Sequence, residues 1–86
     1  MKRIESKPTD NIQFVQFNAV RKGGKMAFLA QATGTLWHVY VMGLGADGAV
    51  RVVETNLTKE LAVASAEKRA KEYETLSTWS MPPSAA

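Results

Sequence analysis

Hydrophobic side chains alternate with polar or small ones over much of residues 12–53, and a period of two residues is typical of β-strands. The dipeptide Gly23-Gly24 divides the first part of this region into segments 12–20 and 26–32. A double glycine is favoured in two-residue hairpin turns. As the turn, it predicts the pairs Ala19 with Phe28, Phe17 with Ala30, and Val15 with Ala32. All six residues then lie on one face of the sheet.

The next glycine supports the same arrangement. With Thr33-Gly34 as a two-residue turn, the predicted pairs are Trp37 with Ala30, Val39 with Phe28, and Val41 with Met26. These pairs fall on the face that is already apolar, so two separate turns agree on one antiparallel meander. A third turn at Asp47-Gly48 completes four strands and predicts Val50 and Val52 on the core face, opposite Gly45 and Gly43. The glycines are equally consistent with a bulge or a longer loop.

The hydrophobic period changes to that of a helix after the last strand. Residues 59–76 are rich in Ala, Glu, Lys and Arg, and either Asn56 or Thr58 can serve as the N-cap. One side of the helix carries its apolar residues, which are Ala62, Val63, Ala66, Ala70, Tyr73 and Leu76. Pro82 and Pro83 exclude a continued helix. The prediction is therefore a two-layer α+β domain over residues 12–76, in which a four-stranded antiparallel β-meander packs against one C-terminal helix. A mobile N-terminal arm (1–11) precedes it and a tail (77–86) follows.

Composition is consistent with one small globular domain. The chain has 86 residues, no cysteine, and no apolar run of the roughly 20 residues that cross a membrane. A net charge of +3 is unevenly distributed, because residues 1–25 contribute +4 and residues 51–86 contribute nothing. Cysteine-free composition and the lack of an apolar stretch near the N-terminus favour a cytoplasmic protein with no membrane partner.

The excess positive charge predicts a candidate phosphate-binding region. It comprises the predicted hairpin tip, with Arg21, Lys22 and Lys25 around two glycines, and the arm residues Lys2 and Arg3. Cations beside glycines can approach phosphates closely. The alternative is that these side chains protect a sheet edge from aggregation, a common use of lysine in turns and edges.

The sheet face opposite the helix is the second candidate site. The predicted alternation places His38 and Tyr40 there, where their rings can stack on bases. It also places four apolar side chains on that face, namely Leu29, Leu36, Tyr40 and Met42. So apolar a face needs a cover or a partner. Three explanations stay open: the tail covers it with Trp79 and Met81, a second copy binds there in a homodimer, or the face binds a ligand.

Catalytic chemistry has little support in this sequence. One histidine and no cysteine exclude a thiol nucleophile and a histidine metal cluster within one chain. The glycine-rich string at 43–48 has the spacing of a dinucleotide-binding loop, but a strand follows it where that fingerprint requires a helix. We therefore expect no enzyme, no metal and no cofactor. The predicted function is a small binding module for nucleic acid, and the alternative is a protein-interaction module, an inhibitor or adaptor, that acts through the apolar face or as a homodimer.

Overall fold

A computed structural model describes residues 1–45 and 48–85 of the chain. It contains one antiparallel sheet with the strands in sequence order, followed by one helix. The elements are β1 (Lys2–Glu5), β2 (Phe14–Arg21), β3 (Gly24–Thr33), β4 (Leu36–Gly43), β5 (Val50–Leu57) and α1 (Lys59–Thr75). The predicted α+β fold of a meander plus a C-terminal helix is confirmed. The sheet has five strands rather than four, because Lys2–Glu5 pairs with β2 instead of belonging to an arm outside the sheet.

The β2–β3 and β3–β4 hairpins have the predicted faces, but their registers differ from the prediction by two residues. Phe17 pairs with Phe28 instead of Ala30, and the turn is Lys22-Gly23. Phe28 pairs with Val41 instead of Val39, and the turn is Gly34-Thr35. Since side chains alternate with a period of two, a shift of two residues leaves each side chain on its predicted face.

The fourth strand pairing departs further from the prediction. Val50 pairs with Met42 and Val52 with Tyr40, so both valines lie on the face away from the helix and not on the core face. The loop closes through a hydrogen bond of 3.0 Å from the Gly43 N–H to the Ala49 carbonyl. Asp47 of the predicted Asp47-Gly48 turn lies outside the described residues. Register shifts opposite Val39 then place Val53 in the core.

The helix begins and packs largely as its sequence predicts. Thr58 is the N-cap, and its side-chain oxygen accepts a hydrogen bond of 3.3 Å from the Leu61 N–H. Three fully buried alanines, Ala62, Ala66 and Ala70, let α1 approach the sheet closely. Tyr73 is also buried, whereas the predicted core residue Leu76 follows the helix in an extended conformation and is exposed. The core therefore lies between α1 and one sheet face, around Phe17, Phe28, Val39 and Val41.

The C-terminal tail packs on the helix side of the sheet. Trp79 meets Tyr73 and Phe28 at ring-centre distances of 5.0 and 6.0 Å, both edge to face. Further along, the Ala85 N–H donates to the Val52 carbonyl at the edge of β5. Met81 also packs against the helix-side core. The explanation in which Trp79 and Met81 cover the opposite face is therefore wrong, because both side chains contribute to the core between sheet and helix.

Candidate functional site

The candidate site is the sheet face opposite α1, which we call the open face. Strand pairing assigns to it, from β1 to β5, Lys2, Ile4, Phe14, Gln16, Asn18, Val20, Lys25, Ala27, Leu29, Gln31, Thr33, Leu36, His38, Tyr40, Met42, Val50 and Val52. In the part of the chain that the structure describes, α1 is the single helix and it packs on the other face. Among the described strand residues, pairing assigns no carboxylate to the open face, whereas it assigns two lysines and a histidine.

The two lysines of the open face lie at the end of the sheet formed by the β2–β3 turn. Lys2 pairs with Asn18 on β2, and Lys25 pairs with Val20 two residues further along the same strand. Both lysines line one shallow hollow together with Met1, Asn18, Val20 and Leu44. The Glu74 carboxylate, at its border, accepts from the Val20 N–H and pairs with the Met1 ammonium, both at 3.1 Å. Lys22 is exposed in the adjacent turn. Three cations are thus available to one anionic ligand at this end of the face.

His38 and Tyr40 are the ring side chains that β4 contributes to the open face. They follow each other on the same side of β4, with ring centres 6.5 Å apart and ring planes at 69°. The Asn56 N–H donates a long hydrogen bond, of 3.4 Å, to Nδ1 of His38. Asn56 has a positive φ of 61°, a conformation that asparagine adopts more readily than most residues. Tyr40 is half-buried between Leu29 and Val52 on the neighbouring strands.

Two of the cations predicted for the phosphate-binding region, Arg21 and Arg3, lie on the other side of the sheet. The Arg21 guanidinium lies 4.3 Å from the ring centre of Tyr73 and 6.0 Å from that of Trp79. The Arg3 guanidinium lies 5.4 Å from the ring centre of Phe17 and 3.2 Å from a carboxylate oxygen of Glu5. Arginine stacked on aromatic rings in this way stabilises the fold. The structure therefore brings together Lys2, Lys22 and Lys25, and separates Arg21 and Arg3 from them.

Apolar side chains of the open face are most exposed at its borders. Leu29 and Ala27, in the middle of β3, are buried by the side chains of the neighbouring strands. Val20, Leu36 and Val50 are instead 55%, 43% and 60% exposed. The predicted interaction residues Tyr40 and Met42 lie between these extremes and are half-buried. The centre of the face, at Ala27 and Leu29, is therefore buried, and its margins offer apolar side chains for contact.

A polar cluster on the helix side ties β5 to α1. Glu54 accepts a hydrogen bond from the Ser65 hydroxyl and another, at 3.0 Å, from Arg69. The hydrogen bond from Ser65, together with Arg69, lowers the pKa of the Glu54 carboxyl. His38 lies on the opposite face of the sheet from Ser65, so the two cannot act as nucleophile and base. Within residues 1–45 and 48–85, no group of three histidine or acidic side chains is positioned to hold a metal ion.

Strand β1 is the feature of this site that the sequence did not predict. Its pairing with β2 brings Lys2 to the same hollow as Lys25, although 23 positions separate them along the chain. The signal in the sequence was weak, because Lys2–Glu5 contains one apolar residue, Ile4. Alternation over four residues, with Ile4 and Lys2 on one face and Arg3 and Glu5 on the other, was the available indication.

Comparison with protein-family models, with curated proteins and with solved structures found no match to this chain. Among the described residues, no helix combines the length and the apolar character needed to cross a membrane. The chemistry of the open face is therefore the guide to function.

Proposed function

We propose that this protein is a small non-catalytic module that binds nucleic acid through the open face. The observation that carries the proposal is the charge of this face, since Lys2 and Lys25 line one hollow and pairing assigns no carboxylate to the face among the described strand residues. A sheet face whose described strand residues carry lysines and no carboxylate attracts a polyanion. Phosphate contacts by lysine supply most of the non-specific affinity of nucleic-acid-binding proteins.

The turn beside this hollow adds a third cation to the proposed interface. Lys22 is exposed next to Gly23, so a phosphate can approach the backbone there without meeting a side chain at Gly23. The proposed interface thus contains Lys2, Lys22 and Lys25, with His38 and Tyr40 further along the face. It excludes Arg21 and Arg3, whose guanidinium groups stack on rings of the core. We assign the module to the cytoplasm, in line with its cysteine-free sequence.

The experiment is a charge reversal with a matched control. Lys22→Glu with Lys25→Glu should abolish binding of labelled oligonucleotides in fluorescence anisotropy at low salt. Lys68→Glu with Lys71→Glu, on the exposed side of α1, produces the same net charge and should weaken binding much less. Equal losses in the two double variants would show attraction by net charge alone, and retained binding in the first variant would contradict the proposed interface.

A second candidate function is protein interaction through the open face, including homodimerisation. It is favoured by the exposure of Val20, Leu36 and Val50 at the margins of that face. Under this candidate, Leu36→Ala and Tyr40→Ala abolish the interaction while the lysine reversals leave it unchanged. Sedimentation velocity over a range of concentrations tests the homodimer directly, with Val50→Glu as the variant expected to dissociate it.

A further inference from the structure

Resting on the proposed function, we infer that the ligand of the open face is single-stranded nucleic acid, whose bases stack on Tyr40 and His38 while its phosphates meet Lys2, Lys22 and Lys25. The inference names the class of nucleic acid, which the charge of the face does not by itself determine.

The aromatic pair on β4 favours a single strand. Tyr40 and His38 lie on one side of β4 with ring centres 6.5 Å apart, and the Asn56 N–H donates to the imidazole. The faces of unpaired bases are free to stack on such rings, whereas the bases of a duplex are already stacked on one another. The described strand residues of the open face include no carboxylate that would repel the nucleic-acid backbone.

The distribution of charge on the open face also favours a single strand over a duplex. The cations lie together at the β2–β3 end of the face, and the remainder of the face carries His38 and uncharged side chains. Three clustered lysines neutralise few phosphates, and a duplex bound through its backbone needs contacts distributed along both strands. A single strand needs fewer, because base stacking contributes part of the affinity.

The shape of the open face is a further feature that favours a single strand over a duplex. Reading of a duplex commonly inserts a helix or a two-stranded ribbon into the major groove. Helix α1 is unsuited to this because its inner side is buried and its basic residues are balanced by an equal number of glutamates, so the helix has no net charge. The open face is instead a broad sheet, on which Lys25 lies four residues along β3 from Leu29, the partner of Tyr40. Four residues of a β-strand span about 13 Å, so a short single-stranded oligonucleotide can contact both the lysines and the rings.

The test compares three labelled probes by fluorescence anisotropy at two salt concentrations. They are an oligothymidine, an abasic oligomer with the same number of phosphates, and a hairpin duplex. We expect the abasic oligomer and the duplex to bind at least about tenfold more weakly than the oligothymidine, in the range expected for lost base stacking. In the protein, Tyr40→Ala should weaken oligothymidine binding about tenfold, and Tyr40→Phe should preserve it because the ring remains.

The outcomes separate the two proposals. Equal binding of all three probes, unaffected by Tyr40→Ala, would overturn the single-strand inference and leave a phosphate-binding function intact. Failure of every probe to bind at low salt would overturn the proposed function, and the inference with it. The abasic comparison uses the unaltered protein, so it remains decisive even if Tyr40→Ala fails to fold.

Discussion

The guanidinium of Arg21, at the end of β2, lies 4.3 Å from the ring centre of Tyr73 on α1. This contact joins the β2–β3 hairpin to the helix. Trp79 from the tail adds a second ring, whose centre lies 6.0 Å from the same guanidinium. The positive charge at the end of β2 is therefore used within the fold. This separates two roles that the sequence alone could not distinguish, because Arg21 and Lys22 are neighbours in the chain.

Arg21→Ala should lower the free energy of unfolding by about 1 kcal/mol, because it removes a cation from two aromatic rings. Urea denaturation followed by circular dichroism measures this. The same substitution should reduce oligonucleotide affinity less than Lys25→Ala does, although each removes one positive charge. A larger loss of affinity with Arg21→Ala would contradict the assignment of Arg21 to the fold.

Gly24→Ala should destabilise the protein by about 1–3 kcal/mol, as overpacking of a core does. A Cβ at this position would collide with the hydroxyl of Tyr73, whose ring is buried and enclosed by Phe28 and Trp79. Gly45→Ala is the matched control, since a Cβ there meets nothing within 4 Å. The thermal midpoints of the two variants should differ clearly. Equal midpoints would show that Tyr73 can move aside.

Trp79→Ala should lower the free energy of unfolding by about 2 kcal/mol, since its ring is partly buried against Tyr73 and Phe28. Leu76→Ala serves as the control because Leu76 is 48% exposed. Chemical denaturation of both variants, followed by circular dichroism, makes the comparison. If Trp79→Ala is no more damaging than Leu76→Ala, the tail does not contribute to the core.

The hydrogen bond from Ser65 to Glu54 should make stability depend on pH. The pKa of Glu54 is lowered in the folded protein from its ordinary value of 4.5. The carboxylate therefore stabilises the fold fully above about pH 4.5, and this contribution is lost as the pH falls through the lower folded pKa. Glu54→Gln should cost up to about 1 kcal/mol near neutral pH, because the group is partly exposed, and progressively less in acid.

Ser65→Ala tests the same cluster from the other side. It should reproduce part of the loss seen in Glu54→Gln and show the same decline at low pH, measured by denaturation at a series of pH values. A destabilisation that stays constant into the acid range would mean that the substitutions act through packing and not through the charge of Glu54.

The sequence predicted the sheet faces correctly because an error of two residues preserves the alternation of side chains. The registers themselves could not be read, because the adjacent glycines serve different purposes. Gly23 has a positive φ of 84° in the turn, while Gly24 is a strand residue that leaves space for Tyr73. Similarly, Gly34 has a φ of 64° at the first turn position, where a type II′ turn requires glycine.

The candidate site was predicted in part. The alternation of β4 places His38 and Tyr40 on the open face as expected, since that alternation follows from local pattern. The position of Lys2 and the stacking of Arg21 depend on contacts between residues far apart in the chain. Val50 and Val52 were assigned to the wrong face because the β4–β5 loop and the irregular register opposite Val39 leave no simple period to read.

The order of the strands also has a consequence for how the chain folds. Every strand pairs with its neighbour in sequence, and the β2–β3 and β3–β4 connections are two residues long. Such local pairing lowers the entropy cost of loop closure and favours rapid folding. During synthesis, which exposes the N-terminal part first, the sheet can form hairpin by hairpin. Trp79, which contacts Phe28 and Tyr73, emerges after all of them, so the core is completed only when residues beyond α1 have been made.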